Sequence, residues 1–182
     1  MNHKILSAFI QSNTHPECIE ELNKYVRGST VEWQKVQQDY DGRVYHYAYM
    51  TRLPHNTHYE KMIGEIFQSM NKEAWQYDLF GTYECLAVKY IPHGHYEWHC
   101  DYGISDNPLG DRKLSMSLQL SNSTEYEGCE LELIDWYGRH AIMSKERGHT
   151  TVFDSRVPHR VTPLIKGTRY AIVAWAHGPK LR

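Results

Sequence analysis

The chain has 182 residues, of which 41% are hydrophobic and 23% charged, and its net charge is −2 with histidine counted as neutral. That length and composition fit one folded domain with its own buried core and argue against disorder. The charge balance leaves no footprint for non-specific binding to nucleic-acid phosphates, and no apolar run reaches the roughly 18 residues of a membrane-spanning helix.

The opening stretch, MNHKILSAFI, has no apolar core long enough for a signal peptide, so a cytoplasmic protein is expected. Cys18, Cys85, Cys100 and Cys129 are widely spaced with no C-x-x-C pair, which fits four free thiols in a reducing compartment. Thr14-His15-Pro16-Glu17 has the form of a capping box, and Ile19, Leu22 and Val26 then recur at helical spacing. Residues 44–53, rich in tyrosine, read as a strand. Thr57 to Glu60 repeats the helix-start pattern before Met62, Ile63, Ile66, Phe67 and Met70, a stripe that predicts packing on one face of a sheet.

From residue 82 the apolar period changes to two. Segments 82–91, 95–101, 112–121, 129–135, 138–144, 149–155, 159–164 and 169–177 read as short strands between Gly, Pro, Asn and Asp. About eight closely spaced strands with no helices between them predict a mainly β sandwich or jelly roll, not a parallel α/β sheet. The expected organisation is a single domain over 1–182, with a helical support over about 1–80 and a β core over about 82–178. The irregular stretch 102–111, YGISDNPLGD, is a candidate lid.

His99-Cys100-Asp101 closes one predicted strand. Strand alternation turns His99 and Asp101 to one face and Cys100 to the other. His159, in RVPHRV, can supply a third ligand from another strand. Two histidines and one carboxylate with three positions left open form the facial triad of non-haem Fe(II) oxygenases, which must admit both cosubstrate and O2. The cluster His93, His95 and His99 permits a rival reading, a three-histidine zinc site in a cupin-like module or hydrolase. Arg169 follows His159 by ten residues across the turn TPLIKGT, which predicts neighbouring antiparallel strands. On the alternation Arg169, Ala171, Val173, Trp175 the guanidinium faces small or flat residues. A buried guanidinium needs an anion, either a local acid or the far carboxylate of a dicarboxylic acid whose other end chelates the metal.

These residues lie within longer motifs. RKLSMSLQLSNSTEYEGCELEL resembles bacterial PKHD-type hydroxylases, and FDSRVPHRVTPLIKGTRYAIVAW resembles both those enzymes and hypoxia-sensing prolyl hydroxylases. YIPHGHYEWHCD is similar to the tyrosine-rich approach to H-x-D in the same family, so the resemblance to 2-oxoglutarate/Fe(II) dioxygenases of the prolyl hydroxylase type spans roughly residues 83–178. It implies a double-stranded β-helix with supporting N-terminal helices. It implies a reaction in which 2-oxoglutarate is decarboxylated to succinate and CO2 while O2 supplies a hydroxyl to an unactivated C–H bond. It implies His99, Asp101 and His159 as iron ligands and Arg169 as the anchor of the cosubstrate's far carboxylate. It also implies pocket positions for Tyr90, Thr168 and Trp175, although Tyr90 shares a strand face with Leu86 and Val88 and reads equally as core. Where some prolyl hydroxylases use a tyrosine to help bind that carboxylate, this chain has Gln119, with Ser117 on the same strand face. The second glycine of the family's turn is Cys129 here. The presence of Asp101 disfavours the halogenases of the superfamily.

The expected activity is hydroxylation of a peptide or protein side chain, with proline the best single guess. Alternatives are a free amino acid or other small molecule and the zinc-binding module; a nucleobase oxygenase is disfavoured by charge. For the peptide reading, Tyr45, Tyr47 and Tyr49 alternate on one strand face, and aromatic faces commonly hold proline-containing segments.

Overall fold

The computed structural model describes residues 7–54, 57–102 and 108–180. In chain order these form β1 (Phe9–Asn13), α1 (Pro16–Val26), β2 (Gln34–Tyr40), β3 (Arg43–Arg52), α2 (His58–Ala74), β4 (Tyr83–Tyr90) and β5 (His95–His99). There follow β6 (Asp111–Gln119), a 3-10 turn (Ser123–Glu125), β7 (Tyr126–Gly128), β8 (Leu131–Ile134), β9 (His140–Ile142) and β10 (His149–Asp154). The chain closes with β11 (His159–Val161), β12 (Leu164–Gly167) and β13 (Arg169–Gly178).

Eleven strands make one curled sheet in the order β1-β10-β6-β13-β4-β3-β5-β11-β8-β9, with β2 paired to β3 alone, and β12 pairs with β7 beside it. The mainly β jelly-roll expectation is met, and the folded sheet brings its two halves, β10-β6-β13-β4 and β5-β11-β8, across a shared interior. Antiparallel pairing of sequence-distant strands sets this up: β13 runs in register with β4 from Arg169↔Tyr90 to Ala176↔Tyr83, and with β6 on its other edge.

Both helices cover the outside of the β6-β13-β4 half. Ile19, Leu22 and Val26 of α1 and Ile63, Phe67 and Met70 of α2 meet Leu114, Leu118, Ile172 and Ala174 in one core. Burying a side chain such as Phe67, which is fully covered, contributes about 1.5–3 kcal/mol. Gly64 is required by close approach, since a Cβ there would lie 2.7 Å from the Tyr83 ring, itself stacked on Phe67 at 5.6 Å. A second core, including Val88, Tyr90, Leu131, Leu133, Phe153 and Val161, fills the interior between the halves.

Four expectations change. Neither capping box forms: the Thr14 hydroxyl bonds Thr150 at 2.5 Å while His15 precedes the helix, and the Thr57 hydroxyl donates to the Pro54 carbonyl at 2.9 Å. The part before residue 80 is not only a helical support, because β1, β2 and β3 belong to the same sheet. The turn TPLIKGT contains strand β12, paired with β7. His159 and Arg169 do not sit on neighbouring strands: β11 pairs β5 and β8, whereas β13 pairs β4 and β6, so the two residues come from opposite halves. Of the candidate lid, residues 103–107 lie outside the described residues. Among the described residues no helix is long and apolar enough to cross a membrane, and all four cysteines are free.

Candidate active site

β5 and β11 are hydrogen-bonded neighbours with His99 opposite His159. β5 ends at His99, so Asp101 is placed by the chain beyond the strand. Its backbone N–H donates to the Ser155 carbonyl at 3.0 Å, as does that of Tyr102 at 2.9 Å, and this bend swings the carboxylate back toward the histidines. Cys100 is exposed, with its thiol on the Arg156 carbonyl at 3.3 Å.

Among the described residues, His99, Asp101 and His159 form the group able to hold a metal, with donor atoms within 4.8 Å of one another. Nε2 of His99 lies 3.7 Å from one Asp101 oxygen and Nε2 of His159 lies 3.4 Å from the other. Each Nδ1 faces a backbone carbonyl, Glu97 at 2.7 Å for His99 and Val157 at 3.0 Å for His159. Those bonds assign the ring protons to Nδ1 and leave both Nε2 lone pairs for a metal, the outer-shell arrangement that ligating histidines use. Burial, then the neighbouring His159, lowers the pKa of His99 to about 4, so its ring is neutral as a ligand must be. Burial opposes ionisation of Asp101, but the two histidines and the Ser115 hydroxyl, donating to Oδ2 at 2.7 Å, outweigh it and keep the carboxylate charged. Ser115 in turn shares a 3.0 Å hydrogen bond with Ser155. The donor set therefore fits an Fe(II) ion with one open face.

The rival histidine cluster does not assemble. His93 sits at φ 70° in a turn, and both ring nitrogens of His95 face backbone carbonyls, His93 at 2.8 Å and Val44 at 2.9 Å. Cys100→Ser is accordingly expected to keep metal stoichiometry and most activity, read by metal analysis of the purified variant. Loss of metal in it would place the thiol in the ligand set.

The triad lies in the wall of a cavity of about 210 Å³ whose lining also includes Tyr90, Ser117, Arg169, Val173 and Trp175. Arg169 is 4% exposed, and no carboxylate among the described residues pairs with it. Its Nε donates to Gln119 Oε1 at 3.0 Å, and the Tyr90 ring lies 5.6 Å away. The amide nitrogen of Gln119 donates to Tyr126 at 2.9 Å and to the Ser121 carbonyl at 3.3 Å. Gln119 thus holds the guanidinium in place and lies behind the cavity, not in its lining. The Cys129 thiol and the Tyr126 phenol also adjoin Arg169, and a buried guanidinium with no carboxylate partner, facing the triad's cavity, fits the far carboxylate of a dicarboxylic acid. Tyr90 has its phenol pushed up by burial and stays protonated. Trp175 stacks on Arg112 at 3.9 Å, with Arg112 bonded to Glu84 at 2.7 Å. Thr168 does not line the cavity; its carbonyl meets the Ser121 hydroxyl at 3.5 Å. Cys129 is buried at φ 52°, the backbone region that explains a glycine in related turns.

Sequence reasoning missed Ser115, Tyr126 and His46. It also chose the wrong face of β3: Tyr47 and Tyr49 pack near Lys35 and Lys89, and the cavity is lined from β3 by His46 and Met50. Tyr45 bonds the Trp98 carbonyl at 2.7 Å.

A sequence model of the 2OG-Fe(II) oxygenase superfamily matches residues 85–177. A PKHD-type hydroxylase of Pseudomonas paraeruginosa is 28% identical over 123 residues, 61% of this chain and 54% of that protein. In the first relatives the alignments cover from about a third to about half of their length. A prolyl-4-hydroxylase structure from Pseudomonas putida superposes with a TM-score of 0.75 at 19% identity, covering 94% of both chains. A Trichoplax adhaerens prolyl hydroxylase in complex with a peptide fragment of the hypoxia inducible factor oxygen degradation domain gives 0.67 at 20% identity, covering 93% of this chain and 83% of that one.

Proposed function

The chain belongs to the 2OG-Fe(II) oxygenase superfamily, and from that premise we propose that it is a 2-oxoglutarate- and Fe(II)-dependent dioxygenase that hydroxylates a prolyl residue of a peptide or protein. The observation that carries the dioxygenase reading is the pairing, in one cavity, of an open-faced His-Asp-His set with a buried guanidinium that has no acid of its own.

His99, Asp101 and His159 would hold the iron, which supplies O2 activation and coordination of the cosubstrate's keto acid end when bound. Arg169, fixed by Gln119, binds the far carboxylate bidentately, and Tyr90 and Ser117 offer hydroxyls to the same molecule. This pairing orients the cosubstrate across the cavity. The apolar wall of Met50, Val88, Leu131 and Val161 limits water beside the metal face. Support for the peptidyl substrate is coarser: the PKHD-type relatives are named hydroxylases, and the similar folds include prolyl hydroxylases, one with a peptide. The free cysteines are in keeping with a cytoplasmic setting.

The test is to incubate the iron-loaded protein with 2-oxoglutarate and a proline-containing peptide library and, separately, with free amino acids. Succinate formation that requires both Fe(II) and 2-oxoglutarate, with a one-oxygen mass gain on a peptide, is expected. Oxygen incorporation only into free amino acids would overturn the peptide reading.

A further inference from the structure

The inner face of the β2–β3 hairpin carries two polar side chains that the reaction as described does not use. His46 and Gln38 are direct cross-strand partners, so both side chains stand on the same face, and both line the cavity with Val36 and Met50. His46 is only 3% exposed, and Nε2 is buried with no partner. An unsatisfied buried nitrogen costs about 1–3 kcal/mol, so in a cavity wall its natural partner is a ligand.

Stacking fixes the plane of the imidazole. It stacks on Tyr96 with ring centroids 3.8 Å apart and an interplanar angle of 3°. Tyr96 stacks in turn on the candidate metal ligand His99 at 3.5 Å. His46 is therefore one ring away from the metal face. Gln38 is exposed, at the rim of the same wall.

We propose that His46 and Gln38 form a recognition pair for a secondary amide of the substrate, the peptide bond beside the reacting residue. The inference rests on the peptide reading above and deepens it. A neutral imidazole offers one donor and one acceptor, and a carboxamide offers both as well, which complements the N–H and C=O of an amide. A free amino acid would bring an ammonium and a carboxylate to this wall, and the pair has no charge to meet either. The pair thus selects an internal residue of a chain over the same residue in free form.

The experiment uses the full chain with 2-oxoglutarate and Mn(II) in place of iron, so that binding is read without turnover. The probe is a pool of acetylated, amidated proline-containing pentapeptides, with retention quantified by mass spectrometry. His46→Phe keeps a ring in the stack and removes both nitrogens; Gln38→Leu keeps the volume and removes the amide. His46→Phe is expected to weaken retention about tenfold, as loss of one buried hydrogen bond does, and Gln38→Leu, at the exposed rim, by a smaller factor, each with 2-oxoglutarate affinity within twofold of the parent. A parallel fall in 2-oxoglutarate affinity would mean that the stack had been disturbed and would overturn the assignment. Unchanged retention in both variants overturns the pair and leaves the peptide reading standing. A parent protein that retains no peptide overturns both.

Discussion

Asp101→Ala is expected to abolish 2-oxoglutarate turnover while leaving a folded protein. The carboxylate is the only anionic donor of the set and is 5% exposed, so neither solvent nor another acid of the group replaces it. Loss of an outer-shell partner costs roughly 10–100-fold in metal affinity or activity, and loss of a ligand should exceed that range. Ser115→Ala, which removes only the hydroxyl donated to Asp101, belongs within it. The fold should persist because the bend is held by the backbone N–H of residue 101 on the Ser155 carbonyl, which alanine retains. Turnover, metal content and thermal unfolding of the two variants together check this. Asp101→Ala protein with parental turnover would remove Asp101 from the ligand set.

Arg169→Ala is expected to raise the 2-oxoglutarate requirement by well over tenfold. Removing a desolvated, charge-assisted bidentate contact costs roughly 2–5 kcal/mol, or about 30-fold to several thousand-fold in affinity. Arg169→Lys keeps the charge but not the planar fork, and should fall between the parent and alanine. The alanine variant also leaves Gln119 Oε1 without its donor, so a modest loss of stability accompanies the loss of binding. Calorimetric titration of the metal-loaded variants with 2-oxoglutarate measures the effect directly. An unchanged affinity would place the anchor elsewhere.

Much of this site was legible because strands leave a period of two. Arg169, Val173 and Trp175 share the cavity face of β13, while Ile172 and Ala174 meet the helices, as alternation required. The same rule misled at β3. Alternation says which residues share a face but not which face meets the interior, and the aromatic face was taken as the binding face when the wall is formed by His46 and Met50. β2 was invisible for a related reason: QKVQQDY has one half-buried position, because a strand paired only to β3 has little apolar surface to cover. β7 and β12 lie in stretches punctuated by Gly128, Pro163 and Gly167, which read as turns. Ser115 and Tyr126 could not be found locally, since only the pairing of distant strands brings them to Asp101 and Gln119. Asp101 was identified, but by a spacing that implied a continuing strand; a bend does the work instead.

The placement of the metal ligands and of Arg169 on opposite halves of one curled sheet has a mechanical consequence. Under the proposed occupancy, a cosubstrate that spans from the metal to the guanidinium ties β5 and β11 to β13, adding a link to the strand pairing through β3 and β4 and to the Ser115–Asp101 hydrogen bond. Occupancy and folded-state stability are then linked. Free energy released by binding adds to the stability of the folded chain, about 2.7 kcal/mol when the ligand stands at a hundred times its Kd. The cosubstrate is in that sense a removable cross-brace, and the cellular supply of a small metabolite sets the rigidity of the protein that consumes it.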